Sequence, residues 1–102
     1  MNPIDSAYDA VRGMERAVSG LLLIAYTRLG QDEHGEAIRV LDETIEQLAN
    51  TPRFNSLIDI LARLSDWIEA GQVSDTREIL RELITKMGDE FHQEIIARQE
   101  MA

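Results

Sequence analysis

Apolar residues recur along this chain at alternating spacings of three and four positions, which is the period of an amphipathic α-helix. No stretch shows sustained alternation at every second position, and neither Asn-Gly nor Asp-Gly occurs to mark a tight hairpin turn. The pattern therefore predicts an all-α fold. Breaks at glycine and proline divide it into four main helices and a possible short fifth helix at the C-terminal end.

The predicted helices cover about 3–29, 33–49, 52–70, 75–88 and 89–98. Their expected N-caps are Asn2, Asp32, Thr51, Ser74 or Asp75, and Asp89. Loops of two to five residues make neighbouring helices antiparallel. We therefore expect one domain, 1–102, in which a first αα-hairpin (about 3–49) and a second (about 52–98) form an antiparallel four-helix bundle.

Three of these helices carry one apolar stripe each, which is typical of a helix that faces a core. The predicted stripes are His34, Ile38, Leu41, Ile45 and Leu48; Phe54, Leu57, Leu61, Leu64 and Ile68; and Leu80, Leu83, Met87 and Phe91.

The first helix is different because a stripe of small residues lies opposite its large apolar residues. That stripe consists of Ser6, Ala10, Gly13, Ala17 and Gly20. Glycine inside a helix costs about 1 kcal/mol relative to alanine, so close approach of another helix is the expected compensation. The hypothesis is a homodimer or partner interface made by Ala10, Gly13, Ala17, Gly20, Leu21, Ile24 and Trp67. The alternative is a first helix wrapped by the other three, with its glycines merely tolerated.

The net charge of the chain indicates which class of macromolecule it binds. The chain has 19 acidic and 10 basic residues, a formal charge of −9, which disfavours binding to nucleic-acid phosphates. Residues 30–51 contain six acids and one base, so this segment either meets a basic partner protein or serves only solubility.

The longest apolar run, Leu21–Tyr26, is too short to cross a bilayer, and Met1–Asp5 has no basic n-region of a signal peptide. We expect a cytoplasmic protein.

No pattern of catalytic or metal-binding residues emerges. There is no cysteine, and the two histidines, His34 and His92, lack the Glu-x-x-His or His-x-x-x-His spacing of helical metal sites. Both are expected on the solvated surface. Ser19 precedes Gly20 but has no strand–turn–helix setting, and the glycines are too scattered to form a phosphate loop. The expectation is a protein without catalytic residues or cofactors.

Two partial resemblances accompany these patterns, and no site residue is carried over from either. Leu29–Leu48 resembles a tetratricopeptide hairpin, and the chain from Gly35 to Phe91, with Asp75-x-x-x-Ile79, is similar to flagellar and type III export chaperones, which are small acidic helical bundles. The favoured hypothesis is a regulator that sequesters or inhibits a partner protein, of the antiactivator or inhibitor type. An export chaperone and a structural assembly subunit are the alternatives.

Overall fold

The computed structural model describes residues 13–101, and every regular element within that range is helical. The helices are α1 (Glu15–Gly30), α2 (His34–Leu48), α3 (Asn55–Glu69), α4 (Val73–Met87) and α5 (Glu90–Met101). A single 3-10 turn, Pro52–Phe54, leads into α3. The all-α prediction is confirmed for the described residues, and the short fifth helix is present.

The helix predicted over about 3–29 is interrupted at Gly13, so α1 is shorter than predicted. This glycine has a φ of +93°, a left-handed conformation that no α-helix can continue through. Met14 then lies outside the helix, which begins at Glu15. The prediction of a helix running through Gly13 is wrong, and its first part, residues 3–12, lies outside the described residues.

α1 is the central element of the fold, because it packs against α2, α4 and α5. Its deepest apolar side chains, Leu22 and Ala25, are completely buried, and Val18, Tyr26 and Leu29 are nearly so. An amphipathic surface helix buries one stripe, whereas a helix with neighbours on several sides needs a wider apolar surface. The apolar run in the middle of α1 supplies that surface.

The residues of the predicted core stripes are buried to different extents. All five residues of the stripe predicted for the third helix are buried, four of them on α3 and Phe54 in the 3-10 turn before it. On α2 the buried face is rotated: Leu41 and Leu48 are joined there by Ala37, Val40 and Thr44, while His34, Ile38 and Ile45 are only partly buried. On α4 the stripe ends at Met87. Phe91 belongs to α5, where it is 61% exposed, so its assignment to the core is wrong.

Of the predicted helix caps inside the described range, the one at Asp89 is confirmed. Its Oδ1 accepts the main-chain N–H of His92 at 3.1 Å, which satisfies a donor in the first turn of α5. The structure shows no capping side chain at Thr51, and α2 and α4 begin after Glu33 and Gln72. Asp32 instead adopts a φ of +59° in the loop before α2.

Candidate functional site

The first candidate surface is an open groove along α2, with a volume of about 630 Å³. Its apolar part comes from Ile38, Ile45 and Ala49, which the rotation of α2 leaves outside the buried face. Its polar part is made by Arg39, Asp42, Glu43 and Glu46. An apolar strip bordered by charged groups is the usual composition of a surface that binds another protein. We call this surface the acidic groove.

The charges of the acidic groove are unbalanced. Its one base, Arg39, donates to Glu36 at 2.6 Å and to Glu43 at 2.7 Å. These hydrogen bonds hold the pKa of Glu36 below its usual value and raise the pKa of Arg39. No basic side chain among the described residues forms an ion pair with Asp42 or Glu46. The groove therefore presents uncompensated negative charge beside its apolar strip.

The second candidate surface lies where α5 crosses α1. Ile24 of α1 and Ile95 of α5 line one groove there, together with Leu23, Thr27, Arg28 and Gln31. Within it Ile24 is 46% exposed, and Phe91, one turn before Ile95 on α5, is 61% exposed. Large apolar side chains grouped on one surface mark interaction sites more often than those scattered singly. Of the predicted interface residues, Ile24 lines this groove, whereas Leu21 is half-buried and is not part of its lining.

A buried polar contact fastens α5 to α1. Ser19 Oγ and His92 Nδ1 lie 2.9 Å apart, and both residues are buried. His92 is thus not on the solvated surface, and that prediction is wrong. Asp89 bonds the main-chain amide of His92 rather than its ring, and its carboxylate pairs with Arg16 at 3.0 Å. The serine and histidine therefore join two helices and do not form the exposed, acid-oriented array of a nucleophilic site.

A third group of polar residues surrounds Tyr26 at the contact of α1 and α4. The guanidinium of Arg77 lies 4.4 Å from the centre of the Tyr26 ring, a cation–π contact. Burial raises the pKa of Tyr26, and its hydroxyl donates to Glu100 at 3.4 Å. Glu100 also pairs with Arg81 at 3.2 Å. With Glu78, which lines the same pocket, two acids match the two bases, so the group holds α5 against its neighbours and offers no excess charge to a ligand.

The described members of the small-residue stripe do not share one exposed helix face. Gly13 lies outside the helix, Ala17 is exposed, and Ala10 is outside the described residues. Gly20 faces the chain's own α5, since a Cβ built on it would lie 3.9 Å from His92 Cε1. Trp67 is half-buried and packs against the core. Of the predicted interface residues, Ile24 alone combines large size with substantial exposure.

Sequence reasoning missed the joint between Ser19 and His92 because its two members lie 73 positions apart. The signal that could have pointed to it is a serine among the buried apolar residues of α1. A polar side chain at such a position needs a hydrogen-bonding partner.

The described residues contain no group of three or more histidine, aspartate or glutamate side chains placed to hold a metal ion. Among the same residues, no helix is long and apolar enough to span a bilayer. Comparison with known proteins gives no match: no family model fits the sequence, and no curated protein or solved structure is significantly similar to it.

Proposed function

We propose that this chain is a non-enzymatic acidic protein that binds a basic helical segment of another protein and thereby sequesters or inhibits it. In this proposal its scaffold is a four-helix bundle of two αα-hairpins, and the cytoplasm is its compartment. The observation that carries the proposal is the acidic groove, where no basic side chain of residues 13–101 forms an ion pair with Asp42 or Glu46 beside an apolar strip.

The chemistry of the acidic groove supports a basic amphipathic helix as the occupant. Ile38 and Ile45 are seven positions apart on one helix, a separation of about 10 Å. An amphipathic helix with apolar side chains at positions i, i+3 or i+4, and i+7 matches that length. Lysine or arginine beside those side chains would meet Asp42 and Glu46. Complementary charge of this kind accelerates encounter and disfavours acidic competitors.

A synthetic peptide of about 15 residues with leucines on one helical face and lysines on the other is a suitable probe. We expect saturable binding that weakens as salt is added, because exposed charges are screened. The Asp42→Asn/Glu46→Gln variant should bind about tenfold more weakly, a loss of about 1.4 kcal/mol. Fluorescence anisotropy of the labelled peptide measures both effects.

The matched control is Glu78→Gln/Glu82→Gln, which changes the net charge equally but on the exposed surface of α4. It should leave the affinity for the peptide within about twofold of the original, apart from the general effect of net charge. If both variants lost the same affinity for the peptide, the binding would be non-specific electrostatic attraction, and the acidic groove would be overturned as the site.

A further inference from the structure

We propose that the exposed face of α5 pairs antiparallel with the same face of a second copy of this chain, giving a twofold-symmetric dimer. In this dimer Phe91 of each copy lies against Met101 of the other, and Glu94 of each copy lies against Arg98 of the other. The inference is independent of the proposed function, because α2 and α5 pack on α1 without a substantial contact to each other.

Large apolar side chains on and beside α5 are exposed to solvent. Phe91 is 61% exposed and Met101 is 86% exposed, and Ile24 of the adjoining α1 is 46% exposed. Withdrawing apolar surface from water is the main driving force of association, and large aromatic side chains are the usual anchors of interfaces. These three side chains supply an apolar surface that the other described residues leave uncovered.

The second support is the order of residues along the exposed face. Phe91, Glu94, Arg98 and Met101 lie within about 80° of arc and about 15 Å of helix length. The sequence of this face is symmetric about Ile96. Glu94 and Arg98 lie two positions before and after it, and Phe91 and Met101 lie five positions before and after it. An antiparallel copy centred on Ile96 therefore places Glu94 opposite Arg98 and Phe91 opposite Met101.

This internal symmetry selects a second copy as the occupant. A twofold interface requires a surface that is complementary to itself, so that residue i meets j and j meets i. Within one chain Arg98 donates to Glu94 at 2.7 Å, and both side chains are largely exposed, so each can turn to a partner. The groove lined by Ile24 and Ile95 adjoins this face and extends the contact onto α1.

Two charge reversals test the pairing. Glu94→Arg gives a face with two bases, and Arg98→Glu gives one with two acids, so each variant should repel its own copy. Sedimentation equilibrium from micromolar to millimolar concentration should show the original chain approaching about 23 kDa, twice its mass of 11.6 kDa. Each single variant should stay near the monomer mass, while circular dichroism shows that its helices are retained.

Mixing the two variants is the decisive step. An antiparallel heterodimer restores both acid–base contacts, so the mixture should dimerise where neither variant does alone. The intrahelical pair between positions 94 and 98 stays broken in both chains, so recovery cannot come from repair of the monomer. Phe91→Ala should weaken the dimer by at least about tenfold. Glu82→Arg, an equal charge change on α4, should leave the dimer intact.

Three results would each overturn the proposal. The original chain could remain monomeric at every concentration, both single variants could remain dimeric, or the mixture could fail to associate. A change in peptide binding at the acidic groove alone would bear on the proposed function and leave this interface standing.

Discussion

Gly88, between α4 and α5, sits where three neighbouring groups leave no room for a side chain. A Cβ on it would lie 2.5 Å from Ser19 Oγ, 2.7 Å from the carbonyl oxygen of Ile84 and 3.0 Å from His92 Cβ. The Ile84 oxygen belongs to the main chain of α4, so it cannot swing aside as the end of a flexible side chain could. Close packing, rather than a special backbone conformation, requires glycine at this position.

We therefore expect Gly88→Ala to lower the free energy of unfolding by about 1–3 kcal/mol, through overpacking of the junction. Gly20→Ala is the matched control, because its Cβ would make an ordinary contact with His92 at 3.9 Å. That change should raise stability by up to about 1 kcal/mol, since alanine is the better helix former. Urea unfolding followed by circular dichroism compares the two. A Gly88→Ala variant as stable as the original chain would contradict the crowding.

At the scale of elements, α5 is held by polar groups at its beginning. Asp89 accepts the main-chain N–H of His92 and pairs with Arg16 of α1, while the ring of His92 contacts Ser19. The hydrogen bond from the His92 amide, aided by the charge of Arg16, holds the pKa of Asp89 below its usual value. The ionised form of Asp89 is thus the one that secures α5.

This predicts a pH dependence with a definite sign. A carboxyl whose pKa is lower in the folded state stabilises the fold fully above its unfolded pKa, about 3.9, and less as the pH falls through its folded pKa. In Asp89→Asn the side-chain amide keeps an oxygen that can cap the helix, but the side chain can no longer ionise. The variant should be less stable at pH 7, and the difference should narrow as the pH drops below about 4. Denaturant unfolding across that range would show a constant difference if Asp89 had no such role.

The elements differ in how far the sequence predicted them. The buried face of α3 was predictable because large apolar residues at helical spacing, from Phe54 in the preceding turn to Ile68, all indicate one side, although the helix begins at Asn55 and not at Pro52. On α2 the apolar positions allow two faces, and packing selected the one that buries Ala37 and Thr44, which left Ile38 for the acidic groove. The contacts of α5 were beyond prediction, because they depend on where α1 meets a helix some 70 positions later.

Taken as a whole, the molecule depends on α1, against which three other helices pack. Leu22, at its centre, is completely buried. Leu22→Ala should lower the free energy of unfolding by about 2–5 kcal/mol, because it loses buried surface and leaves a cavity. Ile24→Ala, two positions away but 46% exposed, should change it by about 0.5 kcal/mol or less. Thermal unfolding at low micromolar concentration separates the two, and equal costs would contradict the central position of α1.

The same arrangement has a consequence for the order in which the protein is made. α2 follows α1 directly, so these two helices can pair as soon as both have left the ribosome. α4 covers another side of α1, and its last residue follows that of α1 only after the synthesis of positions 31–87. At 5–20 residues per second this takes about 3–11 s, far longer than a helix needs to form. During that interval the apolar surface of α1 that α4 will cover is open to chaperones and to neighbouring nascent chains.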